Sequence, residues 1–341
     1  MQPFVEQRAL ATGEAIVLLP ERGVVTVTGP DRLTWLDSVT SQSIAGLAPG
    51  GSAETLLLDP NGRIEHAIRL LNDGETAWLL LDEGEAPALA AWLDRMRFML
   101  RVEVADRTAD YLTYGYLERG THDWPHATAA GHPLIWVDPW QSVQDGGWQY
   151  ASATDHPAAD WAWREALLAR NQAEELDALP TVDPLAAEAL RVAAWRPSWR
   201  TEVDERTIPN ELDWLRSAVH LAKGCYRGQE TVAKVHNLGH PPRRIAFLHL
   251  DGSDNVDPAH GDEVVLAGTD DAVGRVTTGA NHYELGPIAL AVLKRNLDPG
   301  AALEVRHDGT RIAAAQEVIV PQDAGATANV PRIPRLGAVR R

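Results

Sequence analysis

The chain has 341 residues, 45% of them hydrophobic, which is enough to bury sizeable cores, and a formal net charge of −17 at pH 7. This length exceeds one ordinary core, so two or three domains are expected. The acidic balance argues against direct nucleic-acid binding, because phosphate contacts need clustered cations. No segment is long enough to span a membrane, no leader sequence is evident, and one cysteine cannot form an internal disulfide. We therefore expect a soluble, cytoplasmic protein with no membrane partner.

The N-terminal third alternates strand and helix patterns. Apolar and alternating runs predict strands at residues 24–28, 56–58, 64–71, 77–81 and 101–104. Pro30 and Asp31 predict the start of a short helix that continues to Leu36. A longer amphipathic helix is predicted where apolar residues recur at helical spacing, at Leu89, Trp92, Leu93 and Met96. Together these elements indicate an α+β unit with a mostly antiparallel sheet.

The distribution of tryptophan indicates a domain boundary. All 12 tryptophans lie at or before Trp214, which places the boundary between residues 223 and 242. Before it, Asp183 is a suitable N-cap for a helix over residues 184–191. After it, short apolar runs separated by turn residues predict a small antiparallel barrel or sandwich, with strands at 245–250, 263–266, 272–277, 288–293, 302–306 and 311–320. The chain end is locally basic, and we expect residues 323–341 to form a disordered, solvated tail.

The stretch with the most reactive chemistry surrounds the single cysteine. Lysine, glycine, cysteine, tyrosine, arginine, glycine, glutamine and glutamate follow one another over residues 223–230. In an extended backbone Lys223, Cys225 and Arg227 would project to the same face, and two cations so close would favour the thiolate. A buried, inert cysteine is the alternative, but the neighbouring donors and acceptors would then need buried partners as well.

Other kinds of site find little support. His236 and His240 are four residues apart, but Gly239 and the two following prolines oppose a helix, so we expect no metal site. Neither a dinucleotide-binding nor a phosphate-binding glycine motif is present, and no serine lies in a nucleophile elbow. One cysteine cannot ligate an iron–sulfur cluster alone, so any link to clusters must run through a partner, a dimer or a transient transfer.

The octet over residues 223–230 resembles the hallmark of YgfZ-type folate-binding proteins, relatives of the glycine-cleavage T-protein, an aminomethyltransferase. Further stretches agree with the same superfamily in the same order, at residues 29–36, 57–64, 188–192 and 204–212, so the resemblance covers residues 24–320 or nearly so. It implies a multidomain α+β fold in which residues 1–240 form a folate-binding region. Two N-terminal α+β modules would surround a central cavity, with a ferredoxin-like module at roughly 50–120. Residues 241–322 would form an antiparallel β-barrel.

The resemblance also implies a ligand and the residues that hold it. Tetrahydrofolate, or a one-carbon derivative of it, would lie in the central cavity, with Cys225 as the reactive group and Lys223 lowering its pKa. For the pterin, the acidic position carried over is Glu205, and a solvated surface carboxylate is the equally open alternative. An arginine would meet the anionic tail. The other cofactor-binding residues that the resemblance implies are Tyr226, Arg227, Gln229, Glu230 and Arg200.

Three functions are compatible with this sequence. The first is YgfZ-like support of iron–sulfur cluster assembly or repair, with assembly or client proteins as transient partners. The second is a folate-dependent aminomethyltransferase, but the resemblance puts His66 and Ala67 where its catalytic acidic pair would stand. Glu65 would point to the opposite face of a strand, so classical aminomethyl transfer is disfavoured. The third is a non-catalytic folate-binding scaffold in which Cys225 is structural. Residues 40–42 depart from the family pattern, and no folate contact is assigned there.

Overall fold

The computed structural model describes residues 3–120, 122–253 and 256–328. The elements of the first third are α1 (Pro3–Ala11), β1 (Ile16–Leu18), β2 (Gly23–Thr28), α2 (Arg32–Val39), β3 (Ser52–Leu58), β4 (Ile64–Asn72), β5 (Thr76–Leu81), α3 (Ala86–Met96) and β6 (Glu103–Asp106). Five of these strands form one antiparallel sheet in the order β3-β4-β5-β2-β6.

Both faces of this first sheet are buried, which explains why its strands read as nearly continuous apolar runs. Leu57 and Leu79 face a core that also contains Leu89 and Leu93 of α3. The neighbouring Leu56 and Leu80 face the opposite core, which is shared with the rest of the molecule. The five predicted strands correspond to β2–β6, although β3 begins four residues earlier than predicted and β6 lies two residues later. The predicted ferredoxin-like range of roughly 50–120 leaves out β2, which pairs between β5 and β6.

The middle of the chain forms most of a second sheet. Its region contains β7 (Tyr111–Leu117), β8 (Thr128–Ala129), β9 (His132–Pro133), β10 (Ile135–Val137), β11 (Trp163–Ala169), α4 (Glu174–Asp177), β12 (Thr181–Val182), α5 (Pro184–Ala193), α6 (Trp199–Glu202) and α7 (Gln229–Leu238). The strand order is β10-β11-β7-β1-β12, and β1 and β12 run parallel. Helix α5 begins as predicted, since the Asp183 carboxylate accepts a 2.8 Å hydrogen bond from the amide of Leu185.

The C-terminal strands close into a barrel, so the barrel alternative is confirmed over the sandwich. They are β13 (Arg243–Leu250), β14 (Glu263–Leu266), β15 (Ala272–His282), β16 (Gly286–Lys294), β17 (Leu303–His307) and β18 (Thr310–Val318), in the order β13-β16-β15-β14-β17-β18. Ala246 and Leu248 face the barrel interior, whereas Ile245 and Phe247 pack on the N-terminal two thirds. This alternation joins the barrel to the region that holds the central cavity.

Strand β15 is longer than its apolar pattern predicts. Its last five residues, 278–282, continue the hairpin by pairing with the start of β16, after an irregularity between Val276 and Thr278. The start of the predicted solvated tail differs from the prediction, because Ala324 is buried and the amides of Thr327 and Ala328 donate to carbonyls of α7. Residues 329–341 of the predicted tail lie outside the described residues. No helix in the described ranges is long and apolar enough to cross a bilayer.

The buried carboxyl of Asp213 gives the fold a predictable pH dependence. Its backbone is left-handed, with φ 55°, and its Oδ1 accepts a 2.6 Å hydrogen bond from the amide of Tyr150. Among the described residues Oδ2 has no hydrogen-bond partner. Burial raises the pKa of Asp213 to about 7, from an ordinary value of 3.8, despite opposition from backbone amides and Arg216. The folded state therefore holds this proton more tightly than the unfolded state does.

It follows that the contribution of Asp213 to stability is present at low pH and is lost as the pH rises through about 7. Asp213→Asn keeps an accepting oxygen and tolerates the left-handed backbone. We expect the free energy of unfolding of the variant, minus that of the wild type, to be roughly 2 kcal/mol larger at pH 8 than at pH 5.5. Urea unfolding at both pH values measures this difference. A stability offset that does not change with pH would contradict it.

Candidate functional site

A cavity of about 430 Å³ lies where the first sheet, the second sheet and α5 meet. Its walls come from the β1–β2 turn, from β4, from the end of β5, from β11 with the tryptophan that precedes it, and from α5 and the segment after it. The lining residues are Leu18, Leu19, Pro20, Glu21, Arg22, Arg69, Asp82, Glu83, Asp138, Trp161, Trp163, Glu165, Pro184, Ala187, Glu188, Arg191, Arg196, Pro197, Ser198 and Arg200. This is the central cavity that the resemblance implies.

The inner end of the cavity is a network of two carboxylates and two guanidinium groups. Arg22 pairs with Asp82 and lies 2.8 Å from Glu165, while Arg69 lies 3.3 Å from each of the same two carboxylates. Burial opposes ionisation of Asp82, but the charges of Arg69 and Arg22 outweigh it and lower the pKa of Asp82 to about 2. Asp82 is therefore ionised at neutral pH.

Each member of this network has a buried polar atom without a hydrogen-bond partner among the described residues. The atoms are Arg22 Nε, Arg69 Nη1, Asp82 Oδ2 and Glu165 Oε2. Because an unpaired buried polar group is costly, such atoms indicate a missing partner, either water or a ligand. Two donors and two acceptors within one network suit a planar heterocycle whose edge carries both N–H and carbonyl groups.

Two tryptophans form a wall of the same cavity. The rings of Trp161 and Trp163 stack with centroids 5.0 Å apart and an interplanar angle of 11°. Their indole N–H groups donate to Asp138 at 2.8 Å and to Glu165 at 3.2 Å, which fixes the orientation of both rings. The cavity thus combines a flat aromatic wall with a polar inner end, as in sites for amphipathic small molecules.

The first six residues of the octet, 223–228, form a loop rather than an extended strand, and its last two residues begin α7. The ammonium of Lys223 is buried and donates to the carbonyls of Asp37, Thr40 and Gln42 at 2.5, 2.9 and 2.7 Å. Burial lowers the pKa of Lys223, although the nearby Asp37 carboxylate opposes this effect. Lys223 therefore ties the cysteine loop to the loop at residues 40–42, for which the sequence assigned no role.

The second cation beside the sulfur is also engaged. Arg227 pairs with Glu65 through contacts of 2.6 and 3.2 Å, and its guanidinium carbon lies 5.8 Å from the ring centroid of Trp92. Cys225 itself is exposed, which disagrees with the alternative of a buried, inert cysteine. That Lys223 and Arg227 lower the thiol pKa stays a prediction, since both side chains have partners of their own.

The structure separates the predicted cofactor-binding residues. Of the six, only Arg200 lines the central cavity. Glu205 is on the surface, 75% exposed at its side chain and 3.3 Å from Arg206. Tyr226 is buried in the main core, Gln229 donates weakly to the carbonyl of Lys223 at 3.5 Å, and Glu230 is exposed in the first turn of α7.

The residues at the aligned catalytic pair do not bring a carboxylate into the cavity. His66 Nδ1 lies 2.7 Å from a carboxylate oxygen of Glu85, and Ala67 is buried in the core. Glu65 is occupied by Arg227, and the charged side chain that β4 contributes to the cavity lining is Arg69. His236 lies in α7 and His240 after it, and across the described residues no three His, Cys, Asp or Glu side chains group as metal ligands.

The two glycines of the octet offer a matched pair of variants. Gly228 has φ +81°, and a Cβ there would lie 2.5 Å from the carbonyl oxygen of Asp59 and 2.9 Å from Cα of Gly62. A Cβ on Gly224 would meet nothing within 4 Å. We expect Gly228→Ala to destabilise the protein by about 2 kcal/mol and Gly224→Ala to change stability by less than about 0.5 kcal/mol. Urea unfolding compares them, and equal effects would contradict the close packing at Gly228.

Sequence reasoning missed the network at the inner end of the cavity. A signal was nonetheless present, because Arg69 interrupts the apolar run of β4, Glu165 directly precedes the apolar run of β11 and Asp82 directly follows the apolar run of β5. A charged residue in a buried strand needs a partner, so such positions are candidates for a site. Which charges meet is not visible in linear order, since Arg22 and Glu165 are 143 residues apart.

Comparison with known proteins finds relatives that are named for the glycine cleavage system, for iron–sulfur cluster assembly and for tRNA modification. Residues 243–319 match the family model of the glycine cleavage T-protein C-terminal barrel domain. An iron–sulfur cluster assembly factor IBA57 homolog, mitochondrial, from Mycosarcoma maydis is 25% identical over 67% of this chain. The match spans 56% of that relative's length. The tRNA-modifying protein YgfZ of Pectobacterium carotovorum is 23% identical, with 90% of this chain and 92% of the relative covered.

A solved structure has the same architecture. The glycine cleavage system aminomethyltransferase T from Bartonella henselae superposes with a TM-score of 0.69 and 17% identity. The superposition covers 94% of this chain and 89% of that one. At this identity the likeness establishes the fold alone. The superposed part of this chain is large enough to include both the cavity region and the barrel.

Proposed function

Because this chain is a YgfZ- and IBA57-type member of the glycine-cleavage T-protein superfamily, we propose that it is a folate-binding protein that supports iron–sulfur cluster assembly or repair. The ligand would be tetrahydrofolate or a one-carbon derivative, bound in the central cavity. The observation that carries the folate part is the set of unpartnered donors and acceptors at the inner end of that cavity.

The residues present fit a reduced folate. A pterin carries an amino group and a ring N–H on one edge, which a carboxylate accepts well, and a carbonyl beside them that accepts from a guanidinium. Asp82 and Glu165 would take the donors of the pterin, and Arg69 would donate to its carbonyl. Trp161 and Trp163 would cover one side of the ligand. When bound, tetrahydrofolate would supply a nitrogen pair able to carry a one-carbon unit.

The iron–sulfur part of the proposal rests on the relatives and on Cys225. The named function of the IBA57 homolog is cluster assembly, and the YgfZ relative is named for tRNA modification. One cysteine cannot hold a cluster, so the chain would act on clusters together with another protein. Cys225 is exposed in a loop that Lys223 and Tyr226 hold in place, where a partner protein can reach its sulfur.

Replacing the sulfur tests whether the thiol takes part. We expect Cys225→Ser to keep tetrahydrofolate affinity within about twofold of wild type, since an exposed side chain outside the cavity contributes little to binding there. The same variant should fail to restore iron–sulfur enzyme activity in cells that lack the protein. Cys225→Ser that restores this activity fully would contradict a role for the thiol and favour the scaffold alternative.

A further inference from the structure

The open end of the central cavity has a distinct charge pattern. Six exposed residues, which we call the cavity mouth, line it: Leu18, Pro20, Glu21, Glu83, Pro184 and Arg200. The side chains of Glu21, Glu83 and Arg200 are 58%, 49% and 64% exposed, whereas Asp82 and Glu165 at the inner end are 8% and 2% exposed. A ligand whose polar head fills the inner end must therefore direct its other end to the mouth.

The single cation of the mouth already faces two carboxylates. Arg200 lies 3.8 Å from an oxygen of Glu21 and 3.5 Å from one of Glu83. A hydrogen bond with the Glu83 carboxyl, followed by its charge, raises the pKa of Glu21, so the two acids are close together. With one guanidinium against two carboxylates, the mouth is acidic, and it lies on a chain with a formal net charge of −17.

We propose that the cavity mouth selects folates with one glutamate over folates with an extended γ-glutamyl tail. The inference rests on the proposed function, since the pterin head must occupy the inner end. Arg200 can pair with one tail carboxylate. Each further glutamate adds one more negative charge beside Glu21 and Glu83, where like charges repel one another and the field of the acidic body adds to the repulsion. Tail length thus becomes a specificity determinant of this site.

Equilibrium dialysis with tetrahydrofolate mono- and pentaglutamate tests the proposal. At low ionic strength we expect the wild-type protein to bind the pentaglutamate about fivefold more weakly than the monoglutamate, a gap that salt should narrow by screening. Replacing both acids, in Glu21→Gln/Glu83→Gln, should bring the two affinities together. The control is Glu174→Gln/Glu175→Gln, which changes the net charge equally at exposed positions of α4 outside the cavity lining.

The outcomes separate this inference from the proposed function. Tighter or equal binding of the pentaglutamate by the wild-type protein would overturn the inference. So would a control variant that shifts the affinity ratio as much as the mouth variant does, because the net charge alone would then explain it. Failure to bind either folate would overturn the proposed function itself, together with the inference.

Discussion

Replacing Arg196 with methionine should destabilise the protein by about 3–5 kcal/mol, because it leaves two buried carboxylates without their cation. Arg196 is 4% exposed. Its guanidinium lies 2.5 Å from Glu54 and 3.0 Å from Asp138, whose side chains are both 2% exposed. The same group lies 5.2 Å from the ring centroid of Trp140. It joins the first sheet, the segment before the stacked tryptophans and the chain after α5, so its loss affects three parts of the fold. Urea unfolding without ligand measures the change.

A triple variant separates charge from packing. In Arg196→Met/Glu54→Gln/Asp138→Asn all three charges are removed together. The remaining amide oxygen at position 54 can accept from Ser217, and the single amide oxygen at position 138 can accept from either Trp140 or Trp161. We expect the triple variant to regain at least about half of the lost stability, since neutral amides cost much less to bury than unpaired carboxylates. If the triple variant is no more stable than Arg196→Met, the loss reflects packing around the guanidinium instead.

Neutralising the acceptors at the inner end of the cavity should weaken tetrahydrofolate binding by about 30-fold or more for either Asp82→Asn or Glu165→Gln. Each change removes a buried anionic acceptor that the N–H groups of the pterin would use. The amide that replaces it has one accepting oxygen instead of two, and its NH2 group would face the N–H donors of the ligand. Isothermal titration gives the affinities, and unfolding curves show whether each variant remains folded.

Glu205→Gln is the matched control for these two variants. Glu205 is the acid that the family resemblance selects, yet its side chain is on the surface and outside the cavity lining. We expect Glu205→Gln to bind tetrahydrofolate as the wild-type protein does. A large loss of affinity in Glu205→Gln, with Asp82→Asn unaffected, would move the pterin away from the central cavity.

How much of this could be predicted from the sequence depends on the range of the interactions. The strand pattern of the barrel is local, and the prediction for residues 263–266 coincides with β14. The contacts of Lys223 are not local, because its ammonium binds carbonyls about 180 residues away in the chain. An extended geometry around Cys225 was the natural expectation from spacing alone. The loop conformation instead follows from the buried lysine and the close approach of Gly228 to Gly62.

The candidate site also depends on contacts between residues that are far apart in the chain. The octet of residues 223–230 identified the family, but most of its polar side chains hold the loop and α7 in place. The groups that suit a pterin come from four separate stretches, represented by Arg22, Arg69, Asp82 and Glu165. None of these belongs to a recognisable motif, and only folding brings them together. The available clue was that each of Arg69, Asp82 and Glu165 adjoins an apolar run, and only the strand pairing shows that these charges meet.

The most direct test of the account is titration of the purified wild-type protein with tetrahydrofolate. We predict saturable binding of one folate per chain that Asp82→Asn and Glu165→Gln weaken and Cys225→Ser leaves intact. Absence of saturable binding, or binding that both cavity variants leave unchanged, would contradict a folate site in the central cavity.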